Sequence, residues 1–153
     1  MFRREIDFEL ETLTPTPFRH HRRVAFSETD LSGCLHFAQL LRYFEEAEQA
    51  LFRELQIPML WTDTAGISRG WPRVAAECDL LEPIPLGAEL AIEVRVDRVR
   101  HTSVRLTFEV LQAEKLVARG ALRLACIAAK PGQGMRAAAI PDEIAQKLQA
   151  MAV

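Results

Sequence analysis

Residues 26–37 read F-S-E-T-D-L-S-G-C-L-H-F, and they separate a strand pattern from a long helix pattern. At its beginning this segment overlaps residues 20–27, in which Val24 and Phe26 share one face, as in a short strand. From near His36 onward, apolar residues recur every three or four positions. These residues are Phe37, Leu40, Leu41, Phe44, Ala47, Leu51 and Leu55. Their spacing predicts a helix of about five turns that stops before Pro58.

Downstream of this helix the period of the apolar residues changes to two. Residues 59–70 contain Thr62, Asp63, Thr64, Gly66 and Ser68 and predict a loop. Four alternating runs follow and predict antiparallel strands with one covered and one solvated face. They span residues 74–80, 90–97, 104–110 and 116–129. A short helix is predicted after Pro141. We therefore expect an antiparallel sheet that buries its apolar face against the long helix.

Composition narrows the class of protein. The chain has 153 residues, 49% of them hydrophobic and 26% charged, with a net charge of -2, which is typical of one globular domain spanning 1–153. The slight acidity argues against nucleic acid as a partner. Residues 1–10 lack the apolar core of a signal peptide and no run is long enough to span a membrane, so we expect a cytoplasmic protein without a membrane partner. Three widely spaced cysteines predict reduced thiols and no metal site.

Asp30 lies in the turn between the first strand and the long helix. Backbone N–H groups at a helix start have no partner within the helix, and the helix dipole is positive there. One interpretation is that Asp30 or Ser32 satisfies that turn as a cap. The other is that the place suits an anion or a developing oxyanion, with the carboxylate taking part in the chemistry.

The run R-V-A-F-S-E-T-D-L-S-G-C-L-H-F-A-Q-L-L-R-Y-F-E-E-A, residues 23–47, resembles the signature of a known family. It is similar to that of the hotdog-fold acyl-CoA thioesterases of the 4-hydroxybenzoyl-CoA thioesterase and YbgC-like group, and the likeness extends over nearly the whole chain. The resemblance implies an α+β hotdog fold, in which an antiparallel sheet of about five strands wraps around one long central helix. It also implies hydrolysis of an acyl-CoA substrate without a metal or organic cofactor.

The resemblance assigns roles to individual residues. Asp30 matches the catalytic aspartate, acting as nucleophile or as general base for water, and Phe37 matches the residue whose backbone N–H polarises the thioester carbonyl. The remaining positions match substrate-binding residues: Gly33, Cys34 and His36 near the acyl pocket, Gly70 and Trp71 beside the acyl group, and Arg100 with His101 at the coenzyme A phosphates. Trp71 has packing in the core as its alternative. Family members form homodimers or homotetramers with sites between subunits, which we expect here too.

Some positions depart from the family pattern and leave two other functions open. Gln39, Leu40 and Glu48 stand where Asn, Tyr and Arg are frequent, so the substrate is expected to be atypical. A related branch releases polyketide chains from carrier proteins and has a run similar to residues 28–33, but with Asn in place of Asp30. A carrier-protein thioesterase is therefore the second hypothesis. A non-catalytic module that binds acyl-CoA is the third.

Overall fold

The computed structural model describes residues 15–152. Five antiparallel strands form the main sheet in the order β1-β5-β6-β7-β4. They are β1 (Phe18–Arg23), β4 (Arg73–Leu80), β5 (Glu89–Val99), β6 (Ser103–Gln112) and β7 (Lys115–Ala125). The predicted antiparallel sheet of about five strands is confirmed. Its register follows the alternation in the sequence, with Val94 opposite Phe108 and Leu106 opposite Leu122.

Helix α1 (Gln39–Glu54) packs on one face of this sheet. Its buried side chains are Leu40, Tyr43, Phe44, Ala47, Glu48, Leu51 and Phe52. The ring of Phe44 stacks on Phe108 of β6, with 4.6 Å between the ring centroids. Each such apolar side chain contributes roughly 1.5–3 kcal/mol on burial. The helix contacts β1, β4, β5 and β7, so it ties together strands from distant parts of the chain.

A second, smaller sheet replaces the loop predicted for residues 59–70. Its strand order is β2-β3-β8-β9, and its members are β2 (Leu60–Thr62), β3 (Ser68–Gly70), β8 (Ile127–Ala129) and β9 (Met135–Ala137). The loop prediction was wrong for β2 and β3, whereas residues 63–67 between them form a turn. Asp63 accepts hydrogen bonds from the N–H groups of Ala65 and Ile67, which closes a tight hairpin. Long-range pairing of β3 with β8 then completes the sheet.

The predicted last strand is divided in two. Cys126 separates β7 from β8, and its N–H donates to the carbonyl of Thr102. The C-terminal helix α2 (Asp142–Ala150) begins after Pro141, as predicted, and buries Ile144 and Leu148. No helix among residues 15–152 is long and apolar enough to cross a membrane.

Helix α1 starts later than the apolar spacing predicts. His36 and Phe37 belong to the junction before the helix, and the first helical residue is Gln39. The N–H of His36 donates to the carbonyl of Glu28, at 2.9 Å, which holds that residue in an extended pairing. The helical stripe in the sequence thus begins before the helix does.

Candidate active site

Residues 28–36 form a small hairpin in front of α1. Thr29 and Leu35 pair as an antiparallel bridge, and the N–H of Asp30 donates to the carbonyl of Cys34 at 3.0 Å. Gly33 turns the chain with φ +76°, a left-handed conformation that glycine adopts without strain. Its N–H donates back to the carbonyl of Asp30 at 3.0 Å. The hairpin therefore brings Gly33 and Cys34 next to Asp30.

The Asp30 carboxylate closes its own turn. One oxygen accepts the backbone N–H of Ser32 at 2.8 Å and also the Ser32 hydroxyl. These two hydrogen bonds stabilise the ionised form and lower the pKa of Asp30 below its ordinary value, and the charge of His36 adds a smaller effect in the same direction. The side chain is exposed to solvent in the single chain. Asp30 does not cap α1, which starts nine residues later.

Phe37 stands at the junction between the hairpin and α1. Its carbonyl accepts the N–H of Leu40 at 3.0 Å, and its ring stacks on His36 at 5.2 Å between centroids. The Nδ1 atom of His36 accepts the N–H of Ala38 at 3.2 Å, which satisfies one of the unpaired donors at the helix start. For the N–H of Phe37, residues 15–152 supply no acceptor. Within the described part of the chain this donor is therefore unpaired.

Large apolar side chains surround the Asp30 turn and are open to solvent. Leu31 is fully exposed and Phe37 is 62% exposed. Leu86, whose N–H donates to the carbonyl of Gly33 at 3.1 Å, is also exposed, and so is Phe26 at the start of the hairpin. A cluster of exposed apolar side chains around a carboxylate is typical of a binding or interaction surface.

Gly70 and Trp71 do not join this site within one chain. Trp71 is buried, its indole N–H donates to the carbonyl of Pro58 at 3.1 Å, and its ring meets Phe52 edge-on at 5.6 Å. Phe52 lies in the last turns of α1, about 20 Å along the helix from Gln39. Gly70 ends β3 opposite Leu60. Within the single chain Trp71 therefore packs in the core, which is the alternative that the sequence left open.

Arg100 and His101 lie at the other end of the sheet, in the turn between β5 and β6. Arg100 lines a cleft of about 590 Å³ on the sheet face opposite α1. The cleft also contains Arg98, Arg105 and Arg123, together with Asp97 and Glu77. His101 does not line it; its carbonyl accepts the N–H of Ile140 at 2.9 Å. The predicted basic pair is therefore split, and Arg100 belongs instead to a group of four arginines.

Two polar clusters were not predicted from the sequence. Glu28 binds Arg22, Tyr43 and the N–H of Ala25 beside the hairpin. Glu48 is wholly buried on α1 and binds Arg73 through two hydrogen bonds, of 2.6 and 3.2 Å. The signal for Glu48 was present, because it lies four residues after Phe44 and three before Leu51, within the apolar stripe. Among residues 15–152 no group of three or more His, Cys, Asp or Glu side chains is placed to hold a metal ion.

Comparison with known proteins identifies the family of the chain. Residues 24–148 match the model of the thioesterase-like superfamily. A 1,4-dihydroxy-2-naphthoyl-CoA hydrolase of Synechococcus sp. (strain RCC307) is 35% identical over 128 residues, covering 82% of this chain and 95% of the relative. A hydrolase of the same name from Nostoc punctiforme is 31% identical over 134 residues and covers 86% of both chains.

Solved structures share the fold. The Dynemicin thioesterase superposes with a TM-score of 0.78 at 20% identity, over 90% of this chain and 98% of that one. Slr0204, a 1,4-dihydroxy-2-naphthoyl-CoA thioesterase from Synechocystis, gives 0.75 at 23% identity, over 86% and 95% of the two chains. The molecule is thus an α+β protein of the hotdog fold, as the resemblance implied. The chain belongs to the thioesterase-like superfamily, and it is a thioester hydrolase.

Proposed function

We propose that the protein hydrolyses an acyl-CoA thioester to the free acid and coenzyme A, with Asp30 carrying the chemistry. The observation that carries this proposal is that the segment leading into α1 holds both an exposed carboxylate and a backbone donor. Asp30 is an ionised, solvent-accessible carboxylate, and Phe37 offers a backbone N–H without an acceptor among residues 15–152. The names of the relatives support coenzyme A as the thiol.

The chemistry needs these two groups in different roles. As charge develops on the thioester oxygen, the Phe37 N–H stabilises it, which is worth a few kcal/mol in comparable oxyanion sites. Asp30 either takes a proton from the attacking water or attacks the carbonyl carbon itself, forming a mixed anhydride that water then hydrolyses. In both routes the C–S bond breaks and coenzyme A leaves as the thiolate, which takes up a proton.

The two routes differ in timing. If Asp30 is the nucleophile and hydrolysis of the anhydride is slow, one equivalent of thiol appears in a burst before the free acid. If Asp30 is the general base, thiol and acid appear together. Rapid-quench measurement of both products in a single turnover separates the two roles.

We further propose that a second copy of the chain covers the Asp30 turn. In one protomer the carboxylate is exposed and its apolar neighbours Leu31, Phe37 and Leu86 are open to solvent. Burial of such a surface against a partner would exclude water and strengthen the electrostatic interactions at the thioester. This supports a homodimer or homotetramer with the acyl group held between subunits, where Gly33, Cys34 and His36 of the hairpin contribute.

The arginine cleft supports binding of the phosphates of coenzyme A. Guanidinium groups bind phosphate oxygens in pairs of parallel hydrogen bonds. Of the four arginines, Arg105 is already paired with Glu77 and Asp97, each at 2.8 Å. Arg98, Arg100 and Arg123 have no carboxylate partner within 4.0 Å among residues 15–152, so they remain available to an anion.

Thiol release tests the proposal directly. A panel of short, long and aromatic acyl-CoA esters, including 1,4-dihydroxy-2-naphthoyl-CoA, is assayed with the wild type and with Asp30→Ala and Asp30→Asn. We expect both variants to lower kcat/KM by at least about a hundredfold. Asp63→Ala is the matched control, because Asp63 also closes a turn through backbone N–H groups but lies in the β2–β3 hairpin. Wild-type rates in the Asp30 variants would remove the mechanism.

A carrier-protein thioesterase remains the second candidate. The run at residues 28–33 favours it, whereas the presence of Asp30 favours acyl-CoA. Rates on the same acyl group carried by coenzyme A and by an acyl carrier protein decide between them. Binding of acyl-CoA without release of thiol by the wild type would instead identify a non-catalytic module.

A further inference from the structure

One carboxylate links the Asp30 hairpin to the rigid part of the molecule. A single oxygen of Glu28 accepts the N–H of Ala25 at 2.8 Å, a guanidinium N–H of Arg22 at 2.7 Å and the hydroxyl of Tyr43 at 2.7 Å. Its backbone carbonyl accepts the N–H of His36 at 2.9 Å. Glu28 therefore contacts β1, helix α1 and both arms of the hairpin.

We propose that Glu28, supported by Tyr43, is a positioning residue that fixes the Asp30 carboxylate relative to the Phe37 N–H. This inference rests on the proposed function of Asp30 and Phe37. Glu28 itself lies two residues before Asp30, and its carbonyl holds the residue immediately before Phe37. A shift of Glu28 would move the two reacting groups relative to each other.

The anchor for Glu28 is well buried. Tyr43 has no exposed surface and sits on the first turns of α1, so its hydroxyl is held by the core. Burial, together with the bond to Glu28, raises the pKa of Tyr43, and the hydroxyl stays protonated as a donor. The side chain of Glu28 is 15% exposed. The hairpin tip beyond it is mostly exposed; backbone hydrogen bonds with Ile84 and Leu86 hold its second arm, and Glu28 holds its base.

Arg22 is the third partner of the Glu28 carboxylate. Its guanidinium lies 3.8 Å from the centre of the Tyr43 ring and bridges Glu28 and Glu46, each at 2.7 Å. In the described chain its Nε is buried without a hydrogen-bond partner. A buried unpaired donor is unfavourable for stability. Arg22 holds the Glu28 carboxylate against β1 and beside the ring of Tyr43.

Steady-state kinetics of four variants test the proposal. Glu28→Ala removes all three side-chain bonds, and we expect kcat to fall about tenfold with KM within about twofold of the wild type. Glu28→Gln keeps an oxygen acceptor and should recover kcat to within about threefold of the wild type. Tyr43→Phe removes one donor and should lower kcat by an intermediate factor. Glu46→Ala removes the other partner of Arg22 without touching the hairpin, and its kcat should be unchanged.

Two results would overturn the positioning role. One is an equal loss of kcat in Glu28→Ala and Glu28→Gln; the other is a rise in KM alone. If Glu28→Ala fails to fold, as judged by circular dichroism, a wild-type kcat in Tyr43→Phe would also overturn the positioning role.

Asp30→Asn is measured beside these variants to separate the two proposals. If Asp30→Asn keeps full activity, the proposed mechanism fails. If Asp30→Asn is inactive and Glu28→Ala is fully active, only the role of Glu28 is refuted.

Discussion

The Ser32 hydroxyl and N–H determine how the Asp30 carboxylate behaves with pH. Both groups bind the charged form and lower its pKa. A carboxylate with a lowered pKa remains ionised above that value and becomes protonated only as the pH falls through it. The proposed nucleophile or base is therefore in its active form at neutral pH and well into the acidic range.

Replacement of Ser32 tests this effect on catalysis. Ser32→Ala removes the hydroxyl and keeps the backbone N–H, so the pKa of Asp30 should rise part of the way to its ordinary value. The acid limb of the kcat/KM profile should move to higher pH by the same amount, with the rate above the limb little changed. Ser27→Ala, a serine in the same segment without a bond to Asp30, is the control. An unmoved acid limb would show that Asp30 is not the group that titrates.

The pKa of Glu48 is shifted upward, in the direction opposite to that of Asp30. Burial raises its pKa from 4.5 to about 7, while the hydrogen bonds and charge of Arg73 partly compensate and Glu45 adds a small increase. Because the folded state then holds the proton more tightly than the unfolded state, folding is favoured at low pH. This contribution is complete below about 4.5 and is lost as the pH rises to about 7.

Urea unfolding at pH 5 and pH 8 measures this contribution. Between pH 5 and pH 8 the free energy of unfolding of the wild type should fall relative to that of Glu48→Gln. The expected difference is about 1.4 kcal/mol for each unit by which the pKa of Glu48 is raised. Arg73→Gln should be much less stable than either at pH 8, since it leaves a buried charge without its partner. Glu54→Gln, an exposed position on the same helix, should keep the wild-type slope. Equal pH slopes in the wild type and Glu48→Gln would exclude the shift.

At the scale of the elements, the body of α1 follows from the local sequence, whereas its first residue depends on tertiary contacts. The apolar stripe predicted the body of the helix, since side-chain spacing is a local property of the chain. It did not predict the first helical residue. The N–H of Leu35 donates to Ile84 at 2.7 Å and that of His36 to Glu28, so distant residues keep this segment out of the helix.

Gly120 controls how closely α1 approaches the sheet. It lies on β7 opposite Cys78, and a Cβ there would overlap the ring of Phe44 and the carbonyl oxygen of Glu77. Gly120→Ala should destabilise the protein by about 2 kcal/mol or more, because neither a buried ring nor a paired backbone can move aside. Gly70→Ala meets only the exposed side chain of Leu60, at 2.9 Å, and should cost less. Urea unfolding of both variants checks the order, and the reverse order would contradict this packing.

At the scale of the whole molecule, the two edge strands of the main sheet differ in charge, and this difference bears on how a second copy binds. β1 carries three arginines and two histidines among six residues, and such charges protect an edge from pairing with another sheet. β4 begins with Arg73 but continues with Val74, Ala75 and Ala76, which are exposed, and Leu80 near its end is 39% exposed. We therefore expect the second copy to pair along β4.

Light scattering after size exclusion tests this pairing. The wild type should elute as a dimer or tetramer, and Val74→Lys combined with Leu80→Lys should shift it to the monomer and abolish thiol release. His21→Lys on β1 is the control for an added charge at the opposite edge and should leave the assembly intact. A monomeric wild type with full activity would refute both the pairing and the proposal that the site needs a partner.

The sequence alone determined the order of the main elements, the five-stranded antiparallel sheet and the position of Asp30 in the turn before α1. These features depend on alternation, helical spacing and turn residues, which are local in the chain. The tertiary structure decided the small sheet, the delayed start of α1, the Glu28 and Glu48 clusters and the separation of Trp71 from Asp30. Each of these depends on contacts between residues far apart in sequence, such as Arg73 with Glu48 or Leu35 with Ile84. Spacing along one chain does not encode the burial and hydrogen bonding that such contacts create.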